Sequence, residues 1–171
     1  MPELVSIREV VTDDLMTFYA HQREPDACQM AAFPPRGLDA FMAHWKEKIL
    51  GNDRVLSRTI CVGDEVAGNA VCFEEPSQDG EPGRWLIGYW LGSEFWGRGI
   101  ATQAVAAFVQ EVPRRPLFAF VAEHNMGSRR VLEKCGFEFQ EEIPGSVLED
   151  TVDEVLYVYP EHQAAGQSAL A

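Results

Sequence analysis

Apolar and polar residues alternate along residues 4–10 (Leu4, Val5, Ile7, Val10), which predicts a first strand. Thr12 follows as an N-cap, with Asp13 and Asp14 in the first turn of a helix, where carboxylates suit the positive end of the dipole. Pro25, Pro34 and Pro35 break residues 25–37, so that segment is expected to be a partly irregular stretch leading to a second helix. That helix is expected over residues 38–50, with Phe41, Trp45 and Ile49 recurring along one stripe, a spacing that core packing explains without a ligand. Residues 57–62 and 66–73 read as two strands joined by the hairpin turn Gly63-Asp64-Glu65. The following stretch, 74–84, holds Pro76, Gly80, Pro82 and Gly83 and reads as an exposed, mobile loop.

The rest of the chain is organised around residues 86–112. Leu86, Ile87, Tyr89, Trp90 and Leu91 make a buried strand, which runs into Gly97 and Gly99. From Ile100 the apolar positions Ile100, Ala104, Phe108 and Val112 repeat every four residues, with Ala101, Val105 and Val109 beside them, and Pro113 stops this amphipathic helix. Another apolar strand, 117–122, leads to Asn125, an N-cap, and to a short helix that ends at Gly136 in the C′ position. Residues 137–143 and 155–159 read as closing strands linked by an acidic loop around Pro144 and Gly145. One domain over residues 1–160 is therefore expected, with residues 161–171, short of large apolar side chains, as a fraying tail.

A helix that emerges from a glycine turn presents unpaired N–H groups and the positive end of its dipole, a setting that holds phosphate. A tight strand-to-helix connection asks for the same two glycines, so Gly97-Arg98-Gly99 alone leaves both readings open. The stretch from Val121 to Phe137 adds specificity. Trp96-Gly97-Arg98-Gly99-Ile100-Ala101 followed by Asn125, Ser128 and Glu133-Lys134-Cys135-Gly136-Phe137 resembles the two signatures of the GNAT superfamily of acyl-CoA N-acyltransferases. The Tyr89-Trp90-Leu91 and Trp96-Gly97-Arg98-Gly99 variants look most like the branch that includes the ribosomal-protein N-terminal acetyltransferases. The resemblance implies an α/β fold of α+β type: one mixed, mostly antiparallel sheet flanked by helices and splayed at a central parallel strand pair. It implies acetyl-CoA as cosubstrate, threaded between the strands that end near Leu91 and Ala122.

Charge narrows the partners. A net charge of −13 argues against nucleic acid as a direct partner, since phosphate contacts need a basic face, and no apolar run approaches a membrane span. Residues 98–134 are net +3, which leaves −16 elsewhere. A basic island in an acidic chain suits a polyanionic cofactor at one place and a cationic substrate at another, although solvated helix arginines give the same count. Cys28, Cys61, Cys72 and Cys135 lack a C-x-x-C spacing and the four histidines are scattered, so no metal site is expected, and the chain reads as a reduced, cytoplasmic protein.

By the resemblance, the N–H groups from Gly97 to Ala101, with Arg98, hold the pyrophosphate. The N–H of Leu91 polarises the thioester carbonyl, Asn125 contacts the pantetheine arm, and Ser128 contacts the cofactor and is the candidate proton donor to sulfur. Two departures stand out. Leu86 occupies a position where many relatives place a Glu, and Leu132 one where many place a Tyr, so no base or acid carries over there. Glu94 is the candidate base, with Glu74, Glu75 and His44 beside it, and water relay to bulk is the competing route. The expected activity is transfer of an acetyl group to a primary amine, on a small molecule or a protein N-terminus, by a monomer or homodimer. A non-catalytic acyl-CoA sensor is the alternative, and an unrelated nucleotide-binding α/β protein a remoter one.

Overall fold

The apolar run that opens at Trp85 becomes an interior strand, because helices cover both of its faces. In this computed structural model, which describes residues 3–77 and 79–161, that run is β4 (Trp85–Leu91) of a seven-stranded sheet. With β1 (Val5–Arg8), β2 (Leu56–Val62), β3 (Glu65–Glu74), β5 (Leu117–Ala122), β6 (Glu138–Ile143) and β7 (Glu154–Tyr159), the strand order is β1-β2-β3-β4-β5-β7-β6. Every pairing is antiparallel except β4 with β5. That parallel pair is brief: Trp85 lies opposite Leu117 and Leu86 opposite Phe118, after which the strands part. β4 stays on β3 to its end, with Gly68 opposite Leu91, and β5 stays on β7 to Ala122 opposite Glu154. The splayed mixed sheet that the resemblance implied is the one observed.

One core lies on the face covered by α4 (Ile100–Glu111) and α5 (Met126–Lys134), where Ile100, Val105, Phe108 and Leu132 meet Ile87, Leu91, Leu117 and Tyr157. The expected end of α5 is built as drawn from sequence. Gly136 has φ 97°, and the N–H of Phe137 reaches the Leu132 carbonyl at 3.0 Å while that of Gly136 reaches Glu133 at 3.1 Å, a Schellman closure. The other face carries a second core of Leu15, Phe18, Phe41, Trp45 and Ile49, so the stripe at 41, 45 and 49 packs as expected.

Four expectations need correction. Proline at 25 does not break the chain there but starts α2 (Pro25–Ala31) from the first helical position, where its missing N–H costs nothing. The helix after Gly37 is α3 (Leu38–Ala43), continued over His44–Leu50 as a wider π-helical turn. Thr12 is no cap: residues 12–14 form a 3₁₀ turn ahead of α1 (Leu15–Gln22). The buried carboxylate is Asp14, which accepts from Arg8 Nη1 at 2.7 Å, from Thr59 Oγ1 at 2.7 Å and from the Val11 N–H at 3.0 Å. Burial alone would raise its pKa, but the Arg8 pair and these donors outweigh it and hold Asp14 below the usual carboxylate range. Finally, the first strand ends at Arg8, not at Val10, whose side chain joins the second core. Beyond Glu161 the expected tail lies outside the described residues.

Candidate active site

The opening between β4 and β5 is where backbone polar groups lose their neighbours. Gly92 gives its N–H to Ala67 on β3 at 2.9 Å, so the strand's alternation turns the N–H and C=O of Leu91 the other way, toward the side β5 has left. The indole N–H of Trp96 donates to the Leu91 carbonyl at 3.0 Å, which leaves the Leu91 N–H as the free donor. Trp96 thus locks the strand end to the 3₁₀ turn Ser93–Phe95.

A cavity of about 420 Å³ fills this opening. Leu91, Gly97, Gly99, Ile100, Ala101, Asn125 and Ser128 all line it, so seven residues expected from sequence to meet a cofactor share one wall system. Gly97 and Gly99 have φ of 71° and 76°, and a Cβ built on either meets nothing within 4 Å. They are glycines for their left-handed backbone, and the space beside them is open to a ligand. The first α-helical bond of α4 runs from the Gln103 N–H to Gly99 at 3.2 Å, so the N–H groups of Ile100, Ala101 and Thr102 look outside the helix for acceptors. Arg130 and Lys134, one helical turn apart on α5, face the same cavity. Open space, preorganised N–H groups and two cations fit a pyrophosphate-bearing group such as coenzyme A.

Arg98 is not on that wall. Its guanidinium pairs with Glu3, donates to the Glu94 carbonyl at 3.1 Å and lies 5.4 Å over the Phe95 ring. The base candidates also fall elsewhere. Glu94 is exposed beyond the lining, Glu74 and Glu75 pair with Arg54 and Arg84 where β4 and β5 are still joined, and His44 sits in the π turn with its pKa lowered by burial and by Arg36 and Lys48. Leu86 lies at that same closed end, about 16 Å along β4 from Leu91. Leu132 is fully buried under Phe137.

The sequence reading gave no individual role to Arg130, Lys134 or Tyr89. The first two entered only through the positive charge of residues 98–134, although their four-residue spacing, on the face of Met126, was visible. Tyr89 was read as a strand former and as part of the Tyr89-Trp90-Leu91 variant. In the structure its Oη is 2.5 Å from Ser128 Oγ and 3.2 Å from the Ser128 carbonyl. Burial pushes the Tyr89 phenol well above its ordinary value, against the Ser128 hydrogen bond, so it stays protonated. Ser128 is held from below as well, its N–H donating to Asn125 Oδ1 at 3.2 Å, the N-cap bond of α5. Cys135 ties α5 to α4 by donating to the Thr102 carbonyl at 3.3 Å, and burial pushes its thiol to about 11.

On the opposite flank of β4, His21 packs its ring over Gly92 so closely that a Cβ there would meet it at 2.7 Å. Burial lowers the His21 pKa, against the charges of Glu24 and Glu94. Glu24 binds Ser93 through both its N–H, at 3.1 Å, and its hydroxyl. A second, open groove of about 610 Å³ lies across the 123–127 turn from the main cavity, with Glu123, His124 and Asp153 on its walls. Residues 136–161 beside it hold eight acidic residues and no Lys or Arg. No cluster of metal-ligating side chains and no helix long and apolar enough to cross a membrane occurs among the described residues.

A parallel strand pair that splays over a glycine loop, with helix N–H groups and cations around the gap, is the architecture of an acyl-CoA-dependent transferase. The model of the acetyltransferase (GNAT) domain matches residues 5–138, and the chain belongs to this family. Its members take the acyl group from acetyl-CoA. Among solved structures, the chain is similar to the aminoglycoside acetyltransferase AAC(6')-Ib in complex with coenzyme A and kanamycin, at 21% identity over 92% of this chain and 95% of that one, TM-score 0.73. The complex of that enzyme with ribostamycin and coenzyme A matches at 19% identity over 94% and 98%, TM-score 0.74. A GNAT-family acetyltransferase from Bacillus anthracis matches at 16% over 95% and 98%, TM-score 0.75. No curated protein matches the chain.

Proposed function

We propose that this protein is an N-acetyltransferase that moves an acetyl group from acetyl-CoA to a primary amine of a cationic acceptor by direct attack. The observation that carries the reading is the single cavity in which the Leu91 strand end, the glycine loop and Ser128 converge. Acetyl-CoA supplies an activated thioester; the chain supplies the rest. N–H groups from Gly97 to Ala101, with Arg130 and Lys134, hold the phosphates. The Leu91 N–H donates to the carbonyl oxygen, a preorganised donor aimed where charge develops. Asn125 sets the first turn of α5, and Ser128 donates to the departing sulfur. The amine's proton leaves by water to bulk, with Glu94 as the candidate base.

The eight acids of residues 136–161 support a cationic acceptor. The aminoglycoside complexes among the similar structures support a small-molecule polyamine of that kind. The Tyr89-Trp90-Leu91 variant supports the other class, a protein N-terminus of ribosomal-protein type, in the cytoplasm. Leu86 and Leu132 favour a second reading, an acyl-CoA sensor without turnover. Calorimetric titration with acetyl-CoA, then thiol release against kanamycin, spermidine and a short peptide with a free N-terminus, decides. Release with one class names the acceptor. Binding without release from any favours the sensor, and absence of binding overturns both.

A further inference from the structure

The hydroxyl pair Tyr89–Ser128 has a direction, and that direction bears on where the serine's proton goes. Tyr89 has one proton and two acceptors within reach, Ser128 Oγ at 2.5 Å and the Ser128 carbonyl at 3.2 Å. The shorter contact is a strong O–H···O bond, the longer one beyond the usual range for a hydroxyl donor. A phenol is also intrinsically the better donor of the two hydroxyls. With Tyr89 donating, Ser128 Oγ is the acceptor, and its own proton must point elsewhere. The N–H of Ser128 is already engaged by Asn125 Oδ1, which fixes the root of the side chain. The remaining direction is the cavity that both residues line.

Resting on the acetyltransferase reading above, we propose that Tyr89 is a positioning residue: it holds Ser128 Oγ as an acceptor so that Ser128 presents its proton to the sulfur of coenzyme A. In the transfer, the amine nitrogen bonds to the carbonyl carbon, the C–S bond breaks and its electron pair goes to sulfur. Ser128 stabilises that thiolate by hydrogen bond, and the proton that finally makes the thiol is the one the amine has lost. Tyr89, one bond removed, polarises Ser128 and denies it the alternative of donating to the phenol.

The test reads the thiolate directly and needs no acceptor. Coenzyme A bound to the protein is titrated by the ultraviolet absorbance of its thiolate, in the native protein and in the Tyr89→Phe and Ser128→Ala variants, each checked by thermal melting. We expect both variants to raise the bound thiol's pKa by about one unit, a tenfold weaker preference for the thiolate, with coenzyme A affinity at low pH unchanged. The double variant shifts it no further than Ser128→Ala alone. In turnover with whichever amine the native protein acetylates, Tyr89→Phe lowers kcat about tenfold without raising the KM for acetyl-CoA. That loss vanishes with the selenoester analogue, whose leaving selenolate is a far weaker base. Should Tyr89→Phe fold poorly, 3-fluorotyrosine at position 89, a better donor of the same shape, lowers the bound thiol's pKa below native. An unchanged pKa in Tyr89→Phe, additive shifts, or an equal loss with both donors overturns the proposal. If the native protein binds coenzyme A with these shifts yet acetylates no amine, the acetyltransferase reading fails and the Tyr89–Ser128 arrangement stands.

Discussion

The two halves of β4 are alike in composition and opposite in use. At Trp85 and Leu86 the strand has partners on both sides, and the charges around it are neutralised locally. Arg54 and Arg114 both lie over the Trp85 ring, at 5.4 and 4.4 Å, while Arg54 pairs with Glu74 and Arg84 with Glu75. At Tyr89 to Leu91 one side has lost its partner strand, and the groups that remain, an N–H, a phenol and a glycine loop, have been left facing a cavity. The closed end spends its polar groups on itself. The open end keeps them for a ligand, and the point where strand pairing stops is the boundary between stability and chemistry.

That contrast is broken most severely by Gly99→Glu. The substitution forces a side chain onto a φ of 76° and puts a carboxylate where we propose that the phosphates bind, so acetyl-CoA binding by calorimetry should fall at least 100-fold. Leu86→Glu attacks the other half. It restores the carboxylate many relatives carry, but here on a site only 7% exposed, so unfolding by denaturant should show a loss of about 3 kcal/mol with no gain in turnover. A gain in kcat would mean that the closed end takes part in the chemistry. Ser128→Ala at the open end should lower kcat roughly tenfold while acetyl-CoA affinity moves less than about threefold; an equal loss in both would reduce Ser128 to a binding residue. Smallest is Arg54→Ala, which removes a surface ion pair from the closed end. Stability should drop by less than about 1 kcal/mol and turnover should stay at the native value.

How much of this was legible follows the range of the interaction involved. The glycine loop, the stripe of α4 and the cap-to-cap design of α5 are local in sequence, and each was read with the correct residues. α2 was not, because Pro25 signals a break and a helix start with equal force until the chain before it is known to be extended. Arg98 was assigned to phosphate by its place in the loop. Its direction in the structure is set by Glu3, a partner 95 residues away. Tyr89 meets Ser128 across 39 residues, and only the departure of β5 from β4 brings the two hydroxyls to one wall. Periodicity names the strand; it does not say where a strand loses its neighbour.

The strand order carries one more consequence, for synthesis. β6 pairs only with β7, and β7 lies between β5 and β6 although it is made last of the three. A chain emerging from the ribosome therefore displays β5 with a bare edge and β6 with nothing to hold, until residues 154–159 slot between them. The wall that carries Asn125 and Ser128 hangs from β5, so a truncated chain presents the signature motifs without the rigid wall behind them. A polypeptide that lacks residues 154–159 leaves unpaired strand edges open to chaperones and proteases in place of a finished cleft.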